Sequence, residues 1–230
     1  MNKERALYLL DGGFDEGERD VALVHGTSTA TVMEFMRKGV LPAATNTKYK
    51  GHIYFYPIAE HFTEHLLRGR MSGITLQTAE NRAALESETN ERSTYLNKLI
   101  SADLFVKRDS PSGGDLAHIL DIVTPNQTEL ERVFRLYKRE DLIPRKREIQ
   151  IELNNCKGVL LGINKAVLSF VEDKDIEIDE ETDYVSARGH GAGVRIYLPQ
   201  GLDEKYLQYI YALGEKEDKI IREFVERELI

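Results

Sequence analysis

The chain has 230 residues, 41% of them hydrophobic and 30% charged, with a formal net charge of −8. That length supports one large domain or two small ones with a sizeable core. The charge argues against broad electrostatic binding to nucleic acid. One cysteine, Cys156, rules out an internal disulfide and any cysteine-rich zinc site.

Residues 1–20 are charged and turn at Gly12-Gly13, which predicts a surface segment. Nothing apolar of signal-peptide kind follows Met-Asn-Lys-Glu-Arg, and no run approaches a membrane span, so a cytoplasmic protein is expected. Val21 to Val24 is a short apolar run, read as a buried strand. Ser28 or Thr29 can cap a helix from Thr31 to Lys38, with Val32, Phe35 and Met36 on one face and Gly39 as its stop. A polar loop from Ala43 to Lys50 leads to a second strand, Ile53 to Tyr56, ended by Pro57.

Helices are predicted over Ile58 to Arg68 and over Thr78 to Leu99, the latter with an imperfect apolar stripe of Ala79, Ala83, Leu85, Leu96 and Leu99. Leu104 to Lys107 and His118 to Val123 are strand candidates around a Ser110–Gly114 turn. Thr124-Pro125-Asn126 opens a helix to about Arg139. Glu148 to Leu153 alternates polar and apolar, as a half-buried strand does. Gly158 to Ile163, Val167 to Val171 and Tyr184 to Ala187 are further strand candidates, with an acidic stretch at 172–181. A mobile glycine loop at 188–193 precedes the last strand, Val194 to Leu198, which Pro199 stops. Helices are expected at Asp203 to Leu213 and Glu215 to Leu229. No repeat and no low-complexity linker divides the chain. The whole reads as one α+β domain, residues 1–230, with a mainly helical insertion at about 58–140 and a C-terminal helical tail.

Three pieces stand in order near the start: His25-Gly26-Thr27-Ser28, then Gly39-Val40-Leu41-Pro42, then Gly51-His52-Ile53-Tyr54-Phe55. Their order and spacing resemble the ADP-ribosyltransferase superfamily, in particular the branch of poly-ADP-ribose polymerases, diphtheria-toxin-like enzymes and RNA 2′-phosphotransferases. The resemblance covers about the first quarter of the chain, with a weaker echo near its end. It implies split β-sheets holding NAD in a cleft. It also implies glycosyl transfer of ADP-ribose to an acceptor, protein or nucleic acid. On that pattern His25 bonds the nicotinamide-side ribose, Gly26 lets the backbone pair with the carboxamide, and Tyr54 stacks on the ring. Glycine permits close backbone approach, and an aromatic face suits a planar cation. Thr27 and Ser28 belong to the same binding segment, as helix caps or as ligands.

The late strand, Val194-Arg195-Ile196-Tyr197, resembles the one that many family members head with a glutamate. Here Gly193 stands in that place, and Glu180 and Glu181 lie upstream. The RNA 2′-phosphotransferases also lack the glutamate; against their arginine and two histidines this chain sets Lys50, His52 and Tyr54. Arg188 and His190 lie in the glycine loop, either at the cleft or in a solvated turn. A catalytically inactive or 2′-phosphotransferase-like domain that binds NAD or ADP-ribose is the alternative.

Two further signals compete. His61-Phe62-Thr63-Glu64-His65 matches the H-x-x-E-H pattern, which could place two zinc ligands and a general base on one helix face. Glu140 or Glu148 would be the third ligand of such a hydrolase; a solvated helix is the plainer reading, and no metal is expected. The cluster Arg132, Arg135, Lys138, Arg139, Arg145, Lys146 and Arg147 is either a solvated helix end or a phosphate-binding patch. No phosphate-cradling loop is present, and Cys156 lies among polar neighbours.

Overall fold

The computed structural model describes residues 1–12, 20–45, 49–62, 74–100, 126–178 and 193–229. Residues 1–87 with 157–230 form one compact unit, and 88–156 form a second. The expected insertion at 58–140 thus overlaps the second unit with shifted limits. The molecule is mixed α+β with an antiparallel sheet. No helix among the described residues is long and apolar enough to cross a membrane.

The first unit begins with α1 (Lys3–Leu10), whose Asn2 side chain accepts from the Arg5 amide. The surface reading of residues 1–20 missed this helix: Ala6, Leu9 and Leu10 sit at i, i+3 and i+4 and are buried. β1 (Val21–Thr27) follows, then α2 (Thr29–Lys38), with Ser28 as its N-cap and Gly39 as a left-handed C-cap. β2 (Val40–Leu41) is short and pairs with β7 (Leu202–Asp203) in a separate ribbon. β3 (His52–Pro57) is the aromatic strand. After a 3₁₀ turn at Ala59–His61 comes α3 (Leu76–Ile100), which ends in the second unit.

β4 (Val159–Asn164) is buried almost throughout. β5 (Ile176–Ile178), β6 (Val194–Tyr197) and β8 (Leu207–Ala212) complete a six-stranded sheet in the order β5-β6-β3-β1-β4-β8. α6 (Glu215–Glu228) ends the unit. Phe35, Met36, Leu9, Leu23 and Phe55 lie fully buried at the centre of its core.

The sheet is not evenly knit. β1 pairs with β4 from Val21 to Thr27. With β3 it pairs only at Leu23↔Pro57 and Val24↔Tyr56. The rest of β3, His52 to Phe55, pairs instead with β6. Two half-sheets, β1-β4-β8 and β3-β6-β5, are therefore joined at one short seam.

The second unit contains the end of α3, α4 (Gln127–Leu136) and α5 (Lys146–Asn154), with a 3₁₀ turn at Glu140–Arg145. Asn126 and Glu129 make a reciprocal capping box on α4. Leu96, Ile100, Leu130, Val133, Phe134, Leu142, Ile149 and Leu153 form its core.

Three expected elements are overturned. Glu148 to Leu153 is helical, not a strand. Ile149 and Leu153, four apart, are buried, while Ile151 between them is 52% exposed; a three-apolar alternation fits a helix face when one member faces out. Asp203 to Leu213 is not a helix: Glu204–Tyr206 is a 3₁₀ turn and Leu207 to Ala212 is strand β8. There Leu207 and Tyr209 are buried in alternation and the ladder to β4 decides the state. Val167 to Val171 is not a strand: Lys165–Phe170 is a 3₁₀ turn capped by Asn164, and Val171 follows it. Of the helix expected from Ile58, only the turn Ala59–His61 is described; the strands expected at 104–107, 118–123 and 184–187 lie outside the described residues.

Candidate functional site

β1 delivers His25 to the point where the half-sheets part. Its Nδ1 donates to the Tyr54 carbonyl at 2.8 Å. The imidazole thus bridges β1 and β3 beyond their last paired residues. Its ring meets Phe55 edge-on, centroids 5.7 Å apart. Burial lowers the imidazole from the ordinary 6.5 to about 4, against the opposing pull of the bond to Tyr54. At neutral pH His25 is uncharged, with Nδ1 committed to the carbonyl and Nε2 left as an acceptor.

Tyr54 turns the other way. Antiparallel pairing at Val24↔Tyr56 puts odd-numbered residues of β1 on the face of odd-numbered residues of β3. His25 therefore shares a face with Phe55, while Tyr54 lies on the face of Gly26 and Tyr56. The expected slot with an imidazole on one edge and the Tyr54 ring on the other does not form. What Tyr54 gives His25 is its backbone. Its phenol packs on Tyr56, centroids 5.3 Å apart and 85° inclined. The Arg195 guanidinium, carried by β6, lies 4.0 Å over the Tyr49 ring and 5.9 Å from that of Tyr54.

Two glycines of the motif are explained by close approach. A Cβ on Gly26 would stand 2.0 Å from the Ala83 carbonyl oxygen and 3.0 Å from the Ser87 amide nitrogen. The glycine admits the backbone of α3 to the strand. A Cβ on Gly193 would stand 2.2 Å from the Tyr54 hydroxyl. No carboxylate fits at Gly193, because the Tyr54 phenol occupies the space.

Thr27 and Ser28 are almost wholly buried. Ser28 Oγ accepts from the Thr31 amide at 3.3 Å, so it caps α2. His52 takes Tyr197 as a ring neighbour at 5.1 Å and lies 3.8 Å from Glu177 Oε1. Lys50 is exposed.

A carboxyl that sequence reasoning passed over faces the same side as Tyr56. Glu86 of α3 has Oε2 buried without a hydrogen-bond partner. Burial pushes this carboxyl up to about 8. Tyr56 is raised as well, first by burial and then by the Glu86 charge, with Arg82 opposing. In the sequence Arg82 and Glu86 look like an ordinary helix pair four residues apart; only the sheet beneath them marks the carboxyl as unusual.

The competing signals fare differently. Glu64 and His65 lie outside the described residues, as do Glu180, Glu181, Arg188 and His190. His61 Nε2 stands 3.3 Å from Glu60 Oε1. Among the described residues no group of three or more His, Cys, Asp or Glu could hold a metal ion. The basic cluster is largely neutralised: Glu131 receives Arg135 and Lys146, Asp141 receives Arg139, and Glu148 receives Arg145. Hydrogen bonds from Lys146 and Arg135 hold Glu131 down at about 2.

A scan of family models and searches of curated proteins and of solved structures return no match for this chain.

Proposed function

We propose that this chain is an ADP-ribosyltransferase-like protein that binds NAD where its two half-sheets part and transfers ADP-ribose to a macromolecular acceptor. The observation that carries this reading is the seam itself: β1 and β3 pair at two positions and His25 spans the gap beyond them. His25 offers Nε2 to a ribose hydroxyl while Nδ1 is held by the Tyr54 carbonyl. In the transfer the bond from the ribose C1′ to nicotinamide breaks, nicotinamide keeps the electron pair, and the acceptor bonds to C1′ and loses a proton. Tyr54 serves as a positioning residue through its main chain, not as the stacking ring.

A second reading, binding without efficient transfer, is favoured by the packing of Tyr54 on Gly193, which leaves no room for a charge-stabilising carboxylate there. Calorimetric titration with NAD and with ADP-ribose tests both. Binding by the intact chain that His25→Ala weakens at least tenfold supports the site; absence of heat with either ligand overturns it. Incubation with labelled NAD and lysate then separates transfer, which labels acceptors, from binding alone, which does not.

A further inference from the structure

Within the first unit a cavity of about 460 Å³ opens between α3 and the β4-β8 edge of the sheet. Its walls come from Leu76, Ala84, Leu160 and Leu213, from Tyr209 and Tyr211 of β8, and from Leu10 at the end of α1. This volume and this mostly apolar lining are those of small-molecule sites. At its polar side stand Glu80, Gln77 and Asn81.

Glu80 is the decisive group. Oε1 accepts from the Tyr209 hydroxyl at 2.9 Å. Among the described residues no cation pairs with it and no Lys, Arg or His lines the cavity. The Tyr209 ring is itself fixed: a Cβ on Gly162 would fall 2.2 Å from its Cε1, so the ring lies directly on the glycine of β4. The phenol therefore reaches Glu80 from a set direction and orients the carboxylate. A carboxylate beside apolar walls gains most from a cationic hydrogen-bond donor.

We propose that this cavity binds a small organic cation, a primary amine carried on an apolar body. Its sign of charge separates it from the proposed NAD site, since a pyrophosphate would meet Glu80 and, among the described residues, no compensating cation. The two proposals stand or fall separately.

The test uses the full chain and three probes of one shape: 2-phenylethylamine, 2-phenylethanol and 3-phenylpropionate, titrated by calorimetry and followed by amide chemical shifts. The amine binds, moving resonances of Leu160, Tyr209 and Ala84, and about tenfold more tightly than the alcohol; the carboxylate does not bind. Glu80→Gln keeps an acceptor for the Tyr209 hydroxyl and erases the amine's advantage over the alcohol. Ala84→Phe, which fills the cavity, abolishes binding of both, with circular dichroism confirming that the variant is folded. Equal affinity for amine and alcohol, an undiminished amine preference in Glu80→Gln, or no amine binding at millimolar concentration overturns the proposal.

Discussion

Replacing Gly26 by alanine isolates one contact. The new methyl would stand 2.0 Å from the Ala83 carbonyl oxygen, 2.9 Å from its carbon and 3.0 Å from the Ser87 nitrogen. Close C···O contacts in proteins lie near 3.3 Å, so strand and helix must part by about 1 Å or more. All three opposing atoms are main chain and cannot rotate away. Ala83 and Ser87 are fully buried, so the shift opens packed core. Overpacking of this kind costs up to about 3 kcal/mol, which for a protein of this size lowers the melting temperature by roughly 6–12 °C. Scanning calorimetry measures it. The double variant Gly26→Ala/Ala83→Gly does not recover the loss, because the clash is with the backbone of Ala83, not its side chain. A melting temperature within about 1 °C of the parent, or full rescue by Ala83→Gly, would refute the reasoning.

Three more outcomes are expected. His25 falls from 6.5 in the unfolded chain to about 4 in the folded one; the unfolded state binds more protons between these values, so stability is lost as pH falls from 6.5 towards 4. The full loss is about 3 kcal/mol, and His25→Gln removes that acid limb from a series of melts against pH, while the His25 ring resonances of the parent do not titrate between pH 5.5 and 8. Glu86 works in the opposite sense: raised from 4.5 to about 8, it binds more protons when folded, so stability declines as pH rises through that window. Glu86→Gln therefore gains on the parent at pH 8.5 and gains little at pH 5, as denaturant titrations at the two pH values read directly. In the second unit, Asn126→Ala removes the acceptor for the Thr128 and Glu129 amides and costs about 1 kcal/mol in the same assay.

Sequence reasoning reached the helices with clear signals at both ends. α2 had Ser28 before it and Gly39 behind it, and both act as caps. β1 and β3 were legible as apolar runs bounded by Gly26 and Pro57. It failed where three apolar residues fit two periods, as at Ile149, Ile151 and Leu153, and where a neighbouring strand overrode local preference, as at Leu207 to Ala212. The motif set the Tyr54 ring beside the His25 imidazole, whereas the ring that meets it is Phe55. Phe55 shares its face because the register sets odd residues of β1 against odd residues of β3, and register is a property of two strands together.

Composition and local pattern decided that this chain is a mixed α+β protein, where its capped helices begin and end, and which short segment carries an imidazole beside a glycine. Tertiary structure alone decided that β1 and β3 part after two pairs, that α3 lies on Gly26, that the Tyr54 phenol fills the space above Gly193, and that Glu86 is buried while Glu80 faces a cavity. The physical reason is distance along the chain. Caps and periodicity act within a few residues, whereas register, burial and the surroundings of a charge depend on residues brought together from 23 to 57, from 26 to 83 and from 80 to 209.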